Sequence, residues 1–314
     1  MGLVIDRLID KIKEMNNPTV MGLDPRLEYI PNFIKEKYST DSEDYVYNII
    51  MEYNKLLIDN VYDIIPAVKP QIAFYELYGI PGMKAFKDTC TYASKKGMIV
   101  IADIKRGDIG STAKAYSNTY IGKVMIDGEL KTMYDIDMTT VNPYFGIDGI
   151  KPFIDDVKGF DKGIFILVKT SNSSSGEIQD LKIENGNTIY EEVGTLVEKW
   201  GLDVIGKYGY SSIGAVVGAT YPEQLKTLRK LMPHIFFLIP GYGAQGGKAE
   251  DIALGFDENG LGGIVNASRS LMCAIKSDLW KDKYTEEEFY LATREEALRM
   301  KEELTRSIDL RKKA

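Results

Sequence analysis

The charged residues best suited to chemistry lie directly after short apolar runs. Asp103, Lys105 and Asp108 follow one such run, Lys69 ends an earlier one, and Asp24 follows the first. Lysines and aspartates that alternate around a cavity give each ion an opposite neighbour, which keeps the lysines protonated and the carboxylates ionised. Such an array can stabilise a developing negative charge and deliver a proton, and this is the chemistry that the pattern predicts.

Other interpretations of these residues are a structural ion-pair network and a magnesium site. A lone Asp-x-Lys motif favours the network, but Lys69 beside it favours catalysis. Clustered aspartates often hold Mg²⁺, yet interleaved lysines would repel the cation, so we predict no metal site. His234 is the only histidine, which disfavours a Ser-His or Cys-His pair and a site with several histidine ligands.

Two segments late in the chain have the composition of a phosphate site. Glycines dominate residues 240–247, Gly243 among them, and Ser268 and Arg269 follow the last apolar run. Glycines let backbone N–H groups approach phosphate oxygens, and an arginine can pair with the dianion through two hydrogen bonds. These segments therefore predict a phosphate-binding site.

A third polar segment, Thr170-Ser171-Asn172, follows another apolar run. It offers hydroxyl and amide groups to a polar ring or a sugar. The serines at 173–175 fit a solvated loop better.

The elements that must position these residues alternate between two patterns. Eight short runs are almost continuously apolar, which is typical of strands buried on both faces of a parallel sheet. Segments with helical periodicity separate them. The predicted strands are residues 19–23, 64–69, 98–103, 138–142, 164–169, 213–217, 235–239 and 263–267. The predicted helices include residues 4–15, 44–62, 82–95, 111–124, 190–207, 222–231 and 286–311.

Eight such units predict an α/β fold, a closed (β/α)₈ TIM barrel with an extra N-terminal helix. An open doubly wound sheet would carry a glycine-rich turn after its first strand, whereas the sequence there is Gly22-Leu23-Asp24-Pro25. No linker divides the chain, so we expect one domain over residues 1–314. Residues 121–137 look like an insertion, and residues 170–185 like a long polar loop. Loops after barrel strands form the active face, so the polar segments should converge.

Composition excludes several classes of protein. The 314 residues carry 39 Lys+Arg and 46 Asp+Glu, a formal net charge of −7 at pH 7, which argues against nucleic-acid binding. Cys90 and Cys273 have no paired spacing, so a disulfide framework or a zinc ribbon is not expected, and a reducing cytosol fits best. No apolar stretch approaches the roughly 18–20 residues that span a bilayer, so we expect a cytoplasmic protein.

Together, these motifs resemble the orotidine 5′-phosphate decarboxylase family, and more closely its longer form found in many bacteria and in apicomplexan parasites. Five blocks occur in the family's order: residues 22–25, 68–76, 102–112, 169–172, and 240–247 with Arg269. The central Asp-x-Lys-x-x-Asp pattern is shared with a wider group of phosphate-binding barrels that includes sugar-phosphate decarboxylases and synthases. The other four blocks favour the decarboxylases.

The resemblance implies a cofactor-independent carboxy-lyase that converts orotidine 5′-monophosphate (OMP) to UMP and CO₂, the last step of de novo UMP synthesis. It implies a catalytic tetrad of Lys69, Asp103, Lys105 and Asp108, in which Lys105 protonates the C6 carbanion. It also implies a homodimer with shared active sites, in which Asp108 and Thr112 enter the site of the partner subunit.

The resemblance further implies the residues that hold the substrate. Asp24 and Lys69 would bind ribose hydroxyls, Ser171 the pyrimidine ring, and Gln245 and Arg269 the phosphate. The full set of expected substrate-binding residues is Asp24, Lys69, Thr112, Thr170, Ser171, Asn172, Gln245, Arg269, Gly243 and Ser268.

Two alternatives to this function belong to other classes. One is a magnesium-dependent sugar-phosphate decarboxylase or synthase of the same barrel group, and the other is a non-catalytic barrel that binds a phosphate ligand. The sequence also departs from the family where Ser173 follows Asn172 in place of a proline. This departure leaves open which of Thr170, Ser171 and Asn172 meets the base.

Overall fold

The protein is a closed barrel of parallel strands surrounded by helices. A computed structural model describes residues 2–243 and 246–313. The strands within these residues are β1 (Thr19–Leu23), β2 (Ala67–Pro70), β3 (Ile99–Arg106), β4 (Val124–Ile126), β5 (Glu129–Lys131), β6 (Met138–Val141), β7 (Gly163–Lys169), β8 (Ser211–Val217), β9 (Ile235–Pro240) and β10 (Gly263–Ala267). Eight of them close the barrel in the order β1-β10-β9-β8-β7-β6-β3-β2. The predicted TIM barrel is therefore confirmed.

The helices lie around this barrel. They are α1 (Val4–Met15), α2 (Asn32–Lys35), α3 (Tyr45–Asp59), α4 (Ala73–Glu76), α5 (Gly79–Lys95), α6 (Gly110–Tyr120), α7 (Ile147–Phe160), α8 (Gly176–Gln179), α9 (Ile189–Gly201), α10 (Pro222–Leu231), α11 (Ala249–Ile252), α12 (Arg269–Met272) and α13 (Phe289–Lys312). The larger hydrophobic core lies between them and the outward faces of the strands. Both faces of the barrel strands are therefore buried, which explains their continuous apolar sequences.

A second core fills the barrel lumen and continues onto α1. The ring of Phe165 occupies space beside Gly214, where an added Cβ would come within 2.5 Å of the ring. Helix α1 closes the amino-terminal end of the barrel, because Arg7 pairs with Asp137 just before β6 and with Asp161 just before β7. The predicted N-terminal helix is confirmed with its bounds unchanged.

Two predicted helices end four or more residues earlier in the structure. The helix predicted over residues 111–124 stops at Tyr120, and the chain then forms the antiparallel hairpin β4–β5 within the expected insertion. Gly122 fits against Asp156, where a Cβ would lie 2.4 Å from Oδ2. The helix predicted over residues 190–207 ends at Gly201, followed by a 3₁₀ turn. Local turns therefore override the helical periodicity at both places.

Two further features concern the chain as a whole. No helix of the described residues has the length and apolarity needed to cross a membrane. Cys90 and Cys273 are both buried and unpaired, which agrees with the expectation that neither belongs to a disulfide framework.

Candidate active site

Three residues of the predicted tetrad meet at the carboxyl ends of β2 and β3. Lys69 Nζ lies 2.7 Å from Asp103 Oδ2, and Lys105 Nζ lies 2.5 Å from Asp103 Oδ1. Lys69 and Asp103 are each 5 % exposed, whereas the Lys105 side chain is 44 % exposed. The structure therefore holds one carboxylate between two ammonium groups, and one of these groups stays open to an incoming ligand.

Sequence reasoning missed two neutral partners of the same carboxylate. Gln71 Nε2 donates to Asp103 Oδ2 at 3.0 Å, and the Thr140 hydroxyl donates to Asp103 Oδ1 at 2.9 Å. Each Asp103 oxygen thus accepts one charged and one neutral hydrogen bond. Gln71 falls inside a resemblance block, and Thr140 lies at the carboxyl end of β6, so strand position was the signal that could have found both.

The backbone at Lys105 differs from the regular strand that the sequence suggested. The Asp-x-Lys spacing predicts that both side chains point the same way from a strand, but the β3–β6 register shifts between Ala102 and Arg106 and Lys105 has a φ of 47°. The Thr140 hydroxyl oxygen accepts hydrogen bonds from the amides of Ile104 and Lys105, at 3.0 and 2.9 Å. Thr140 therefore supports a left-handed conformation that is costly for a residue with a Cβ.

The electrostatics of this cluster fix its charge state. Burial opposes the ionisation of Asp103, but Lys69 and Lys105 outweigh it and hold the pKa of the carboxyl well below its usual range. Burial alone would lower the pKa of Lys69, yet Asp103 and Asp24 more than offset it, so that pKa is raised. The pair Lys69–Asp103 is therefore charged at neutral pH.

A cavity of about 400 Å³ opens above this cluster. Its apolar floor is formed by Leu167, Val216 and Leu238 from the barrel interior. The polar residues that line it are Asp24, Lys69, Asp103, Lys105, Thr140, Thr170, Ser171, Asn172, Asn266 and Ser268. Most of the expected substrate-binding residues on barrel-strand ends thus share one cavity with the charged cluster.

An adjoining cavity of about 370 Å³ contains Arg269 and the backbone of Gly241. The two cavities share Asp24, Pro240, Asn266 and Ser268, so they form one continuous depression. Gly22 lies beneath Ser268, where an added Cβ would come within 1.8 Å of Oγ. This close approach explains why a glycine precedes Leu23 and Asp24.

Two buried oxygens at the junction of these cavities have no hydrogen-bond partner among the described residues. They are Asp24 Oδ1 and Asn266 Oδ1. Burial raises the pKa of the Asp24 carboxyl, and the nearby charge of Lys69 only partly offsets this effect. A buried acceptor without a donor is costly, so these two atoms suit a ligand that brings hydroxyl groups.

Residues 170–172 line the cavity above the charged cluster but not the adjoining cavity that contains Arg269. The Thr170 hydroxyl donates to Asn172 Oδ1 at 2.6 Å, and Asn172 Nδ2 donates to Ser174 Oγ at 3.1 Å. Within the described residues, the Ser171 hydroxyl has no such partner, while its backbone carbonyl accepts from Thr220 at 3.0 Å. Ser171 is therefore the side chain of the three that is available to a ligand.

Three other expected site residues, Asp108, Thr112 and Gly243, do not line the cavity above the charged cluster. Asp108 is half-buried and its Oδ1 accepts from the Ile109 amide at 2.7 Å, and Thr112 is exposed on the first turn of α6. Neither lines the cavity of its own chain. Gly243 has a φ of 70° and lies near Ser270, whereas Gln245 falls outside the described residues.

A larger cavity of about 640 Å³ lies at the opposite end of the barrel, against α1 and α13. It contains none of the expected site residues. Among the described residues there is also no group of three or more His, Cys, Asp and Glu side chains arranged to hold a metal ion. The chemistry suggested by the sequence is therefore concentrated at the carboxyl-terminal rim.

Comparison with known proteins gives one consistent family. A family model described as "Orotidine 5'-phosphate decarboxylase / HUMPS family" matches residues 31–274. An orotidine 5′-phosphate decarboxylase of Caldicellulosiruptor bescii is 44 % identical over 292 residues, which are 92 % of this chain and 95 % of that protein.

Solved structures give the same result. The OMP decarboxylase of Leishmania donovani is 27 % identical with a TM-score of 0.74, covering 98 % of this chain and 99 % of that one. The UMP synthase of the same organism is 28 % identical with a TM-score of 0.75, and the match covers 98 % of this chain but 57 % of the longer protein.

Proposed function

The chain belongs to the orotidine 5′-phosphate decarboxylase / HUMPS family, and we propose that it converts OMP to UMP and CO₂, the last step of de novo UMP synthesis, in the cavity above Asp103. The observation that carries this proposal is the ammonium of Lys105, 2.5 Å from a buried carboxylate and open to a cavity that continues into an arginine-lined pocket. The charged cluster and the pocket that contains Arg269 lie in different parts of one continuous depression. This arrangement fits a nucleotide that binds through its phosphate and reacts at its base.

The order of groups along the depression supports this orientation of substrate. Arg269 supplies a cation for the phosphate, and the unpartnered oxygens of Asp24 and Asn266 suit the ribose hydroxyls. The Ser171 hydroxyl then faces the pyrimidine, with Thr170 and Asn172 as its supports. Phosphate contacts far from the reacting carbon contribute binding energy that can be used to position the base.

The reaction breaks the bond between C6 and its carboxylate, and the electron pair stays on C6. The ring has no electron sink at that position, so stabilisation must come from fixed charges. Lys105 faces the developing carbanion and donates a proton to C6, then regains a proton from solvent. Asp103, held ionised by its two lysines, lies against the substrate carboxylate and disfavours the bound ground state. These charges supply the chemistry without a cofactor.

We propose a homodimer in which Asp108 and Thr112 complete the site of the partner subunit. Apolar side chains are exposed beside them: Ile109 is 55 %, Tyr144 84 % and Phe145 47 % exposed. Phe145 lies within contact distance of a Cβ placed on Gly107, so this surface continues from the segment that carries Asp108. A second copy of the chain would bury these side chains and bring Asp108 to a neighbouring cavity.

We further propose that the chain works as one domain over residues 1–314 and in the cytoplasm. The buried, unpaired thiols of Cys90 and Cys273 suit a reducing compartment. The relatives from Caldicellulosiruptor bescii and Leishmania donovani that are named as orotidine 5′-phosphate or OMP decarboxylases support OMP as the substrate. Neither the magnesium-dependent sugar-phosphate alternative nor a non-catalytic binder is therefore favoured.

The test is the fall in ultraviolet absorbance of OMP with purified protein and excess EDTA, with UMP identified as product. We expect rapid loss that EDTA does not slow. No loss of OMP by the folded protein, together with turnover of a sugar phosphate once Mg²⁺ is restored, would instead support the magnesium-dependent alternative. Tight binding of OMP without conversion would support the non-catalytic one.

A further inference from the structure

A fully buried lysine lies next to the substrate cavity but does not line it. Lys169 ends β7 and is 0 % exposed. Its Nζ donates to Asp180 Oδ1 at 2.7 Å and to Ser175 Oγ at 3.1 Å. The ammonium also lies 4.8 Å from the ring centre of Tyr221 and 5.5 Å from that of Tyr190. Its charge is thus compensated entirely by protein groups.

An irregularity in β7 turns Lys169 away from the cavity. Leu167 lines the cavity floor, and strict alternation would point the side chain two residues later the same way. The β7–β8 register shifts between Leu167 and Lys169, and Lys169 pairs with Val217. Val217 belongs to the core outside the barrel. The bulge therefore directs the lysine outward, under the loop of residues 170–180.

A pair of hydrogen bonds between Thr170 and Gln179 closes the same loop, directly beside the ion pair of Lys169 and Asp180. Gln179 Oε1 accepts from the Thr170 amide at 3.0 Å, and Gln179 Nε2 donates to the Thr170 hydroxyl at 2.8 Å. Lys169–Asp180 and Thr170–Gln179 thus join the two ends of the loop. The Thr170 hydroxyl in turn holds Asn172, so the loop's closure fixes both neighbours of Ser171.

An apolar residue would fill the position of Lys169 without the desolvation cost of a buried ammonium. The ion pair therefore indicates a role in specifying one loop conformation rather than in packing. We propose that Lys169 and Asp180 are positioning residues that hold Ser171 against the pyrimidine and so set the preference for ligands that carry the base. This inference rests on the proposed function, because it uses the same orientation of the nucleotide.

The test compares two ligands that differ only at the base. Asp180→Asn is the informative variant, since the Asp180 side chain is 39 % exposed and tolerates an isosteric change better than the buried lysine. Calorimetric titration of the full-length protein should show UMP binding weakened by about tenfold, which is the loss of roughly one hydrogen bond to the base. Binding of ribose 5-phosphate, which lacks the base, should stay within about twofold of wild type.

Two further variants control for charge and for general stability. Asp180→Glu keeps the carboxylate and should restore most of the UMP affinity. Asp203→Asn removes a different ion pair, in which Lys158 Nζ lies 2.9 Å from Asp203 Oδ2 on the outer surface. It should leave both ligands unaffected.

The possible results separate the two claims. The positioning role would be overturned if Asp180→Asn bound UMP like the wild type, or if it lost affinity for UMP and ribose 5-phosphate equally. In either case, decarboxylation of OMP by the wild-type protein would still support the proposed function. A wild-type protein that neither decarboxylates OMP nor binds UMP would overturn the proposed function and this inference with it.

Discussion

Thr140→Val removes one hydroxyl and keeps the shape of the side chain. That hydroxyl donates to Asp103 Oδ1 and accepts from the amides of Ile104 and Lys105. The bond to the carboxylate contributes about 1.5–3 kcal/mol, and the buried amide of Ile104 left without an acceptor costs about 1–3 kcal/mol. We expect the free energy of unfolding to fall by about 3 kcal/mol.

The same change should slow catalysis. The left-handed backbone of Lys105 costs about 1–2 kcal/mol, and without Thr140 it can relax and carry the ammonium away from the reacting carbon. A change of about 1.4 kcal/mol in the barrier corresponds to a tenfold change in rate, so kcat for OMP should fall about 5- to 30-fold. Steady-state kinetics at saturating OMP measures this, together with urea unfolding.

Two matched variants make the result decisive. Thr140→Ser keeps the hydroxyl and should retain most of kcat. Thr139→Val removes a buried hydroxyl that donates to the Ala102 carbonyl at 2.9 Å, outside the cavity, and should lower stability with kcat unchanged. A Thr140→Val enzyme that unfolds more easily yet turns over at the wild-type rate would refute the role of Thr140 in placing Lys105.

Three further outcomes follow from the same geometry. Arg269→Ala should raise KM for OMP roughly 10- to 100-fold with a small effect on kcat, since a charged hydrogen bond to phosphate is present in ground and transition states alike; a loss confined to kcat would contradict this. The pKa of Asp103 is lowered on folding, so its stabilisation is complete above the unfolded value of about 4 and is lost as pH falls below it. Between pH 4 and 3, the unfolding free energy from urea titration should depend on pH less steeply in Asp103→Asn, by about 1 kcal/mol per pH unit, because the unfolded carboxyl is still about half ionised at pH 4. Equal slopes in the two proteins would contradict the lowered pKa of Asp103. Equal amounts of Lys105→Ala and Asp108→Ala subunits, mixed and reassembled, should regain about a quarter of wild-type activity, because half of the dimers are mixed and each has one intact site; no recovery would exclude shared sites.

Strand patterning was sufficient to predict the scaffold. The predicted bounds of residues 19–23 and 263–267 match the structure because burial on both faces keeps these strands mainly apolar. Asn266 is the polar exception near the end of β10, where it lines the cavity. The rule that barrel chemistry lies at strand ends then brought Lys69, Asp103 and Lys105 into one cluster, and the structure places them together.

The details of the cluster were not predictable from spacing. Lys105 meets Asp103 through a register shift and a left-handed residue, which no local pattern indicates. Thr140 lies 35 positions further along the chain, and only the pairing of β3 with β6 brings it there. Helix α7 is not among the predicted helices that the periodicity indicated, and it contains Pro152, a residue that normally argues against a helix interior.

The direct test of the central claim is single-turnover decarboxylation of OMP by Lys105→Ala. Loss of the group that protonates C6 should lower the rate by at least about 10³-fold, while unfolding by urea and binding of UMP show that the fold and the ligand site persist. A Lys105→Ala protein that decarboxylates OMP within about tenfold of the wild-type rate would contradict the account, because the charge assigned to the reaction would then be dispensable.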